Sequence, residues 1–100
     1  MSDWNVIIDG RGRSGTITYV EGQNRVRFDW ELGGRDVVAI ITGPSRQHWE
    51  CDLEWAHGRR LEILERVAQE AIRVQAPMTR AEYTDDGTTI VLRKKHNFGP

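Results

Sequence analysis

The segment RVRFDWEL, residues 25–32, restricts this chain more than any other. Val26, Phe28, Trp30 and Leu32 alternate with Arg25, Arg27, Asp29 and Glu31. Strict alternation of apolar and charged residues marks a half-buried antiparallel strand, because successive side chains leave the backbone on opposite faces. Such a strand needs partners on both sides and a cover for its apolar face. The flanking sequence offers the partners. WNVIID (4–9) and TITYVE (16–21) alternate in the same way and are joined by the glycine-rich loop GRGRSG (10–15). EGQN (21–24) reads as a turn, and Gly33-Gly34 can supply the positive φ of a tight hairpin into DVVAIIT (36–42).

A one-residue slip would turn every side chain to the wrong face, so the faces test the registers. Pairing Ile8 with Ile17 sets Val6 opposite Tyr19. Pairing Val20 with Arg25 sets Tyr19 opposite Val26 and Ile17 opposite Phe28. Pairing Leu32 with Arg35 sets Trp30 opposite Val37 and Phe28 opposite Ala39. These pairings give one inner face of Val6, Ile8, Ile17, Tyr19, Val26, Phe28, Trp30, Val37, Ala39 and Ile41. Small Ala39 beside large Phe28 suits a packed layer.

The cover is a helix predicted from about residue 56 to 75. Leu61, Ile63, Leu64, Val67, Ala68, Ala71, Ile72 and Val74 fall within half its circumference, and Pro77 ends it. So broad an apolar face suits packing across a sheet. The tail TRAEYTDDGTTIVLRKK reads as a second hairpin, turning at Asp86-Gly87.

The stretch HWECDLEWAH (48–57) gathers the single cysteine, two of three histidines and two of four tryptophans. Trp49, Cys51 and Leu53 alternate with His48, Glu50 and Asp52, which predicts a fifth strand pairing Trp49 with Ile41, Cys51 with Ala39 and Leu53 with Val37. Cys51 then belongs to the core as a small apolar residue. A zinc site would need His48, Cys51 and His57 or Asp52 to converge, and a nucleophilic thiol would need a neighbouring base. On a strand, His48 and Cys51 point to opposite faces. His57 reads as a helix-entry residue, and Glu50, Asp52 and Glu54 as a solvated strand face. GRGRSG leads into a strand rather than a helix N-terminus, so it is no phosphate cradle.

The expected architecture is therefore α+β: a five-stranded antiparallel meander, one long helix packed on one face, and a C-terminal β-hairpin, in a single domain over 1–100. With 38% apolar and 29% charged residues, the chain has the composition of an ordered domain. The net charge of −1 exerts no global pull toward nucleic acid or anionic membrane. One cysteine permits no internal disulfide and fits a reducing compartment, so a cytoplasmic location is expected. The start MSDWNVIIDG lacks the pattern of a secretory signal, and no stretch reaches the roughly 18 apolar residues of a membrane span.

No catalytic set, metal site or cofactor is expected. The outer face carries Ile7, Val20, Val38 and Ile40, ringed by Arg25, Arg27, Asp29, His48, Glu50 and Asp52. An apolar centre with a charged rim is how protein interfaces are built. Val20, Arg25, Arg27, Val38, Ile40, His48, Glu50 and Asp52 are the expected partner-binding residues. The expected function is a non-enzymatic protein-binding or regulatory module, acting as a homodimer or as an inhibitor or immunity-type protein. The alternatives are a nucleic-acid-binding module using Arg25, Arg27 and Arg93–Lys95, and a thiol or metal enzyme centred on Cys51. The first would require exposed strand aromatics for base stacking. Tyr19, Phe28, Trp30 and Trp49 instead face inward, leaving Trp4 and Trp55 for the surface.

Overall fold

The computed structural model describes residues 3–84 and 87–95. Strands β1 (Trp4–Arg11), β2 (Ser14–Glu21), β3 (Asn24–Leu32) and β4 (Val37–Thr42) come first. A short helix α1 (Arg46–Cys51), a 3-10 turn (Glu54–Ala56) and the long helix α2 (Arg60–Gln75) follow, and β5 (Thr79–Tyr83) and β6 (Thr89–Lys94) end the chain. The fold is α+β. All strands join one six-stranded antiparallel sheet in the order β1-β2-β3-β4-β6-β5. The long helix lies on its inner face and touches β1 and β2 toward one edge, β5 and β6 toward the other. None of the described helices is long and apolar enough to cross a membrane.

The first two registers are as the alternation predicts: Ile8 faces Ile17, Val6 faces Tyr19, Tyr19 faces Val26 and Ile17 faces Phe28. Val6, Ile17, Tyr19, Val26, Phe28 and Ile41 are all buried. They meet Ile63, Leu64, Val67, Ala68 and Ala71 of α2, with Ile90 and Leu92 of β6, in one core. Each fully buried large side chain contributes about 1.5–3 kcal/mol. Leu61 and Val74 lie outside this core, at 58% and 46% exposed, so the helix buries a narrower stripe than its apolar sequence suggests.

The third register differs. Trp30 faces Ile41 and Leu32 faces Ala39, four residues from the expected pairing with Val37. The cause is the connection. Gly33-Gly34 does not form a two-residue turn: Gly33 N donates to Val38 O, Val37 N to Gly34 O, and Arg35 takes φ 59°. A shift by an even number keeps the faces, but it moves Ala39 away from Phe28. Gly43 takes that place, where an added Cβ would meet Phe28 Cε2 at 2.6 Å. The small-beside-large packing survives with a different small residue.

The predicted fifth strand at 48–53 is α1 instead, and β6 occupies the place beside β4. Ile41 pairs with Ile90 and Ala39 with Leu92, the partners expected to be Trp49 and Cys51. Ser45 caps the helix by accepting from His48 N at 3.2 Å, and the i,i+4 pairs Arg46–Glu50 and His48–Asp52 lie along it. Trp49 remains inward, tilted against Phe28 at 6.4 Å. Cys51, expected in the core, is exposed. The long helix begins at Arg60 rather than 56 because Gly58, at φ 76°, breaks the chain before it.

The C-terminal hairpin is present as β5–β6. Gly87 has φ 71°, and Asp86 lies outside the described residues. The β4–β6 pairing carries a bulge, with Val37 opposite Arg93 and Ala39 opposite Leu92. The extra residue reverses the expected sides of two valines. Val37 shares the outer side with Arg93, while Val38 packs against the core.

At the β1–β2 hairpin, Trp30 Nε1 donates to Asp9 O at 2.9 Å across Gly15. A Cβ at Gly15 would sit 2.1 Å from Asp9 O and 2.6 Å from both Gly10 Cα and Trp30 Nε1. Two of those atoms are backbone and cannot swing aside. Gly15→Ala is expected to destabilise the fold by about 2 kcal/mol through overpacking, read from the denaturant midpoint.

Candidate functional site

Helices α1 and α2 and the 3-10 turn pack on the inner face, where Trp49 meets Phe28 and Trp55 stacks on Tyr19. No described helix covers the outer face. The hairpin extends the sheet edge rather than folding over it. The registers arrange this face in cross-strand rows: Asn5, Val20, Arg25; Ile7, Thr18, Arg27; Asp9, Thr16, Asp29, Thr42; then Ser14, Glu31, Ile40, Val91, Glu82. Val20, Ile40, Val37 and Val91 are half-buried, and Ile7 is exposed.

Of the expected partner-binding residues, Val20, Arg25, Arg27 and Ile40 lie together on this face. Val38 does not, because the bulge turns it inward. His48, Glu50 and Asp52 do not either, because they ride on α1 rather than on a fifth strand. Asp29 keeps its expected place in the rim, and Glu31, Glu82 and Arg93 complete it. Arg27 and Asp29 are both largely exposed and lie 3.6 Å apart.

The constellations behind the alternative readings do not assemble among the described residues. Being helical, His48 and Cys51 are not held on opposite strand faces as expected. Yet His48 Nδ1 engages Asp52 Oδ2 at 2.8 Å on the surface, and no group of three potential metal ligands occurs among the described residues. Arg93 donates to Glu82 at 2.6 Å and to Asp36 at 3.2 Å, so it does not join Arg25 and Arg27 in one basic patch. Trp4, expected at the surface, is partly exposed, with Arg66 over its ring at 4.9 Å.

A polar cluster at the start of α2 is not announced by the sequence pattern. Arg59 donates twice to Glu21, at 2.8 Å each, Tyr19 OH donates to Glu21 at 2.5 Å, and Arg66 Nη1 donates to Tyr19 OH at 2.7 Å. The hydrogen bonds from Arg59 and Tyr19 hold the Glu21 carboxyl down at about 2. Burial, and then its bond to Glu21, pushes the Tyr19 hydroxyl up. One trace is there: Glu21 continues the inward series Ile17, Tyr19, yet its glycine neighbour makes it read as turn. The cluster clamps α2 to β2, and its acid and bases are already paired with one another.

Beyond the opposite end of that clamp, between α2 and the inner sheet face, lies a cavity of about 180 Å³. Its lining is apolar apart from Gln75 and the indole of Trp30, whose nitrogen already serves Asp9. No protein-family model, curated protein or solved structure matches the chain, which leaves its function to be argued from these surfaces.

Proposed function

We propose that the chain is a small non-enzymatic binding module of the cytoplasm that acts through its open sheet face, and that a second copy is the partner this face fits. The carrying observation is the outer side of β3, which reads Arg25, Arg27, Asp29, Glu31. That row is charge-antisymmetric about its midpoint. A two-fold axis crossing β3 there sets Arg25 over Glu31 and Arg27 over Asp29 of the second copy, twice each. Self-complementarity of this kind is what an isologous interface requires. The same axis keeps each strand over its own copy, so Val20 lies over Ser14 of the second copy and Ile40 borders that copy's Arg25. Strands of the two copies run near antiparallel, which suits aligned sheet-on-sheet packing. The exposed thiol of Cys51 supports a reducing compartment, where it is safe from oxidation.

Charge reversal tests this reading. Arg25→Glu with Arg27→Asp makes the row wholly acidic, and Asp29→Arg with Glu31→Arg makes it wholly basic. Each double variant is expected to be monomeric by light scattering, and an equimolar mixture to form a one-to-one dimer that weakens with salt. Ile40→Asp should disperse the wild-type dimer while leaving the circular dichroism spectrum unchanged. A wild-type chain that stays monomeric at its highest soluble concentration, or double variants that do not combine, would overturn it.

A further inference from the structure

We infer that the cavity under α2 is a binding site for a small, uncharged, predominantly apolar molecule of aromatic or branched alkyl character, near indole in size. The void has a cause in the sequence. Ala39 on β4, Ala71 on α2 and Ala76 after it line the gap, and no large side chain of the described residues fills it. Ile8, Ile17 and Ile41 form the sheet wall, with Leu92 beside them. Trp30, half-buried, and Leu32, 50% exposed, join the lining where the sheet meets solvent. The apolar walls of this partly open space offer water few hydrogen-bond partners and lack dispersion contacts that an apolar guest would supply.

Size and chemistry narrow the guest. An apolar cavity of about 150 Å³ accepts benzene, so about 180 Å³ admits a ring system slightly larger. No charged side chain among the described residues lines the space, so an ionised guest would be desolvated without a partner. Gln75 is the one lining side chain whose hydrogen-bonding groups are uncommitted to another described residue, which allows the guest one polar atom. The β1–β3 ladders and the bulge at Val37/Ala39 hold the wall in shape, so the site is formed before the guest arrives. The site lies on the face opposite to the proposed dimer contact and does not depend on it.

The test is titration of the full chain with indole, followed by backbone amide NMR. The expected result is saturable binding in the millimolar range or tighter, with shifts centred on Ala39, Ala71 and Ala76. Indole-3-acetate, the same ring carrying a carboxylate, should bind at least roughly tenfold more weakly. Ala39→Ile fills the space with a residue that strands favour, and it should weaken indole binding by roughly tenfold or more with the melting temperature held or raised. Should that variant not fold, Ala71→Val makes the same test from the helix side. Ile40→Asp, on the outer face, should leave indole binding unchanged, so loss of the dimer and loss of this site are read separately. Linear, unsaturable shifts, shifts centred elsewhere, or undiminished binding in a folded filled variant would overturn the inference.

Discussion

Trp49→Ala is expected to cost about 4 kcal/mol of stability, the largest single effect in the chain. Trp49 is 3% exposed and is the one buried residue of α1. A six-residue helix has almost no stability of its own, so this ring is what holds it. Removing it empties the space against Phe28 and releases α1 from the sheet, while Leu53, Trp55 and Ala56 still hold the 3-10 turn that follows. Denaturant titration should show the loss, and amide exchange should show α1 opening before the sheet does. Trp49→Phe separates packing from polarity. The indole Nε1 is buried and meets no hydrogen-bond partner among the described residues. A phenyl ring removes that unsatisfied donor along with some contact area, so this change should cost less than about 1.5 kcal/mol.

Glu21→Ala is expected to cost about 3 kcal/mol, because it leaves Arg59 and Arg66 facing an emptied, partly buried site with no acceptor. The same group makes stability depend on acid. Its carboxyl sits at about 2 in the folded chain against 4.5 as its ordinary value. A carboxyl depressed by folding contributes its full stabilisation above 4.5 and loses it as pH falls toward 2. Glu21 is 11% exposed but its arginines are about a third exposed, so solvent screening reduces the contribution to about 2 kcal/mol. Glu21→Gln should therefore flatten the stability profile across that window, measured as denaturant midpoint against pH. A mutant that keeps the full acid slope would assign it to other carboxylates. Glu70 beside Arg73 and Glu82 beside Arg93 are also held low. Tyr19 adds the opposite dependence at the alkaline end: its raised hydroxyl favours the folded state until pH climbs past 10.

Part of the candidate surface was legible residue by residue. Val20, Arg25, Arg27 and Ile40 lie on the open face because alternation alone assigns a strand residue to a side. Val38 escaped because a bulge breaks that parity, and bulges depend on the partner strand. His48, Glu50 and Asp52 escaped for another reason. Trp49 and Leu53 are four residues apart, so over six residues the same apolar spacing suits a strand or one side of a helix. The charge antisymmetry of β3 was in the sequence throughout, but its meaning needed the knowledge that nothing described covers that side.

The local sequence determined β1, β2 and β3 with their registers, since the two short turns between them leave no freedom to slip. It also determined the long helix, the terminal hairpin and the α+β class, because period and length are properties of each segment. Only the tertiary structure decided which strand lies beside β4. That edge could accept residues 48–53 or β6, and the difference between them is a competition for one ladder. Residues 89–94, TIVLRK, are richer in β-branched side chains and bring β5 with them, whereas 46–51 carry a serine cap and i,i+4 charge pairs that favour a helix. The cavity under α2 and the Glu21 clamp likewise exist only between elements distant in sequence, where neither a period nor a turn residue records the contact.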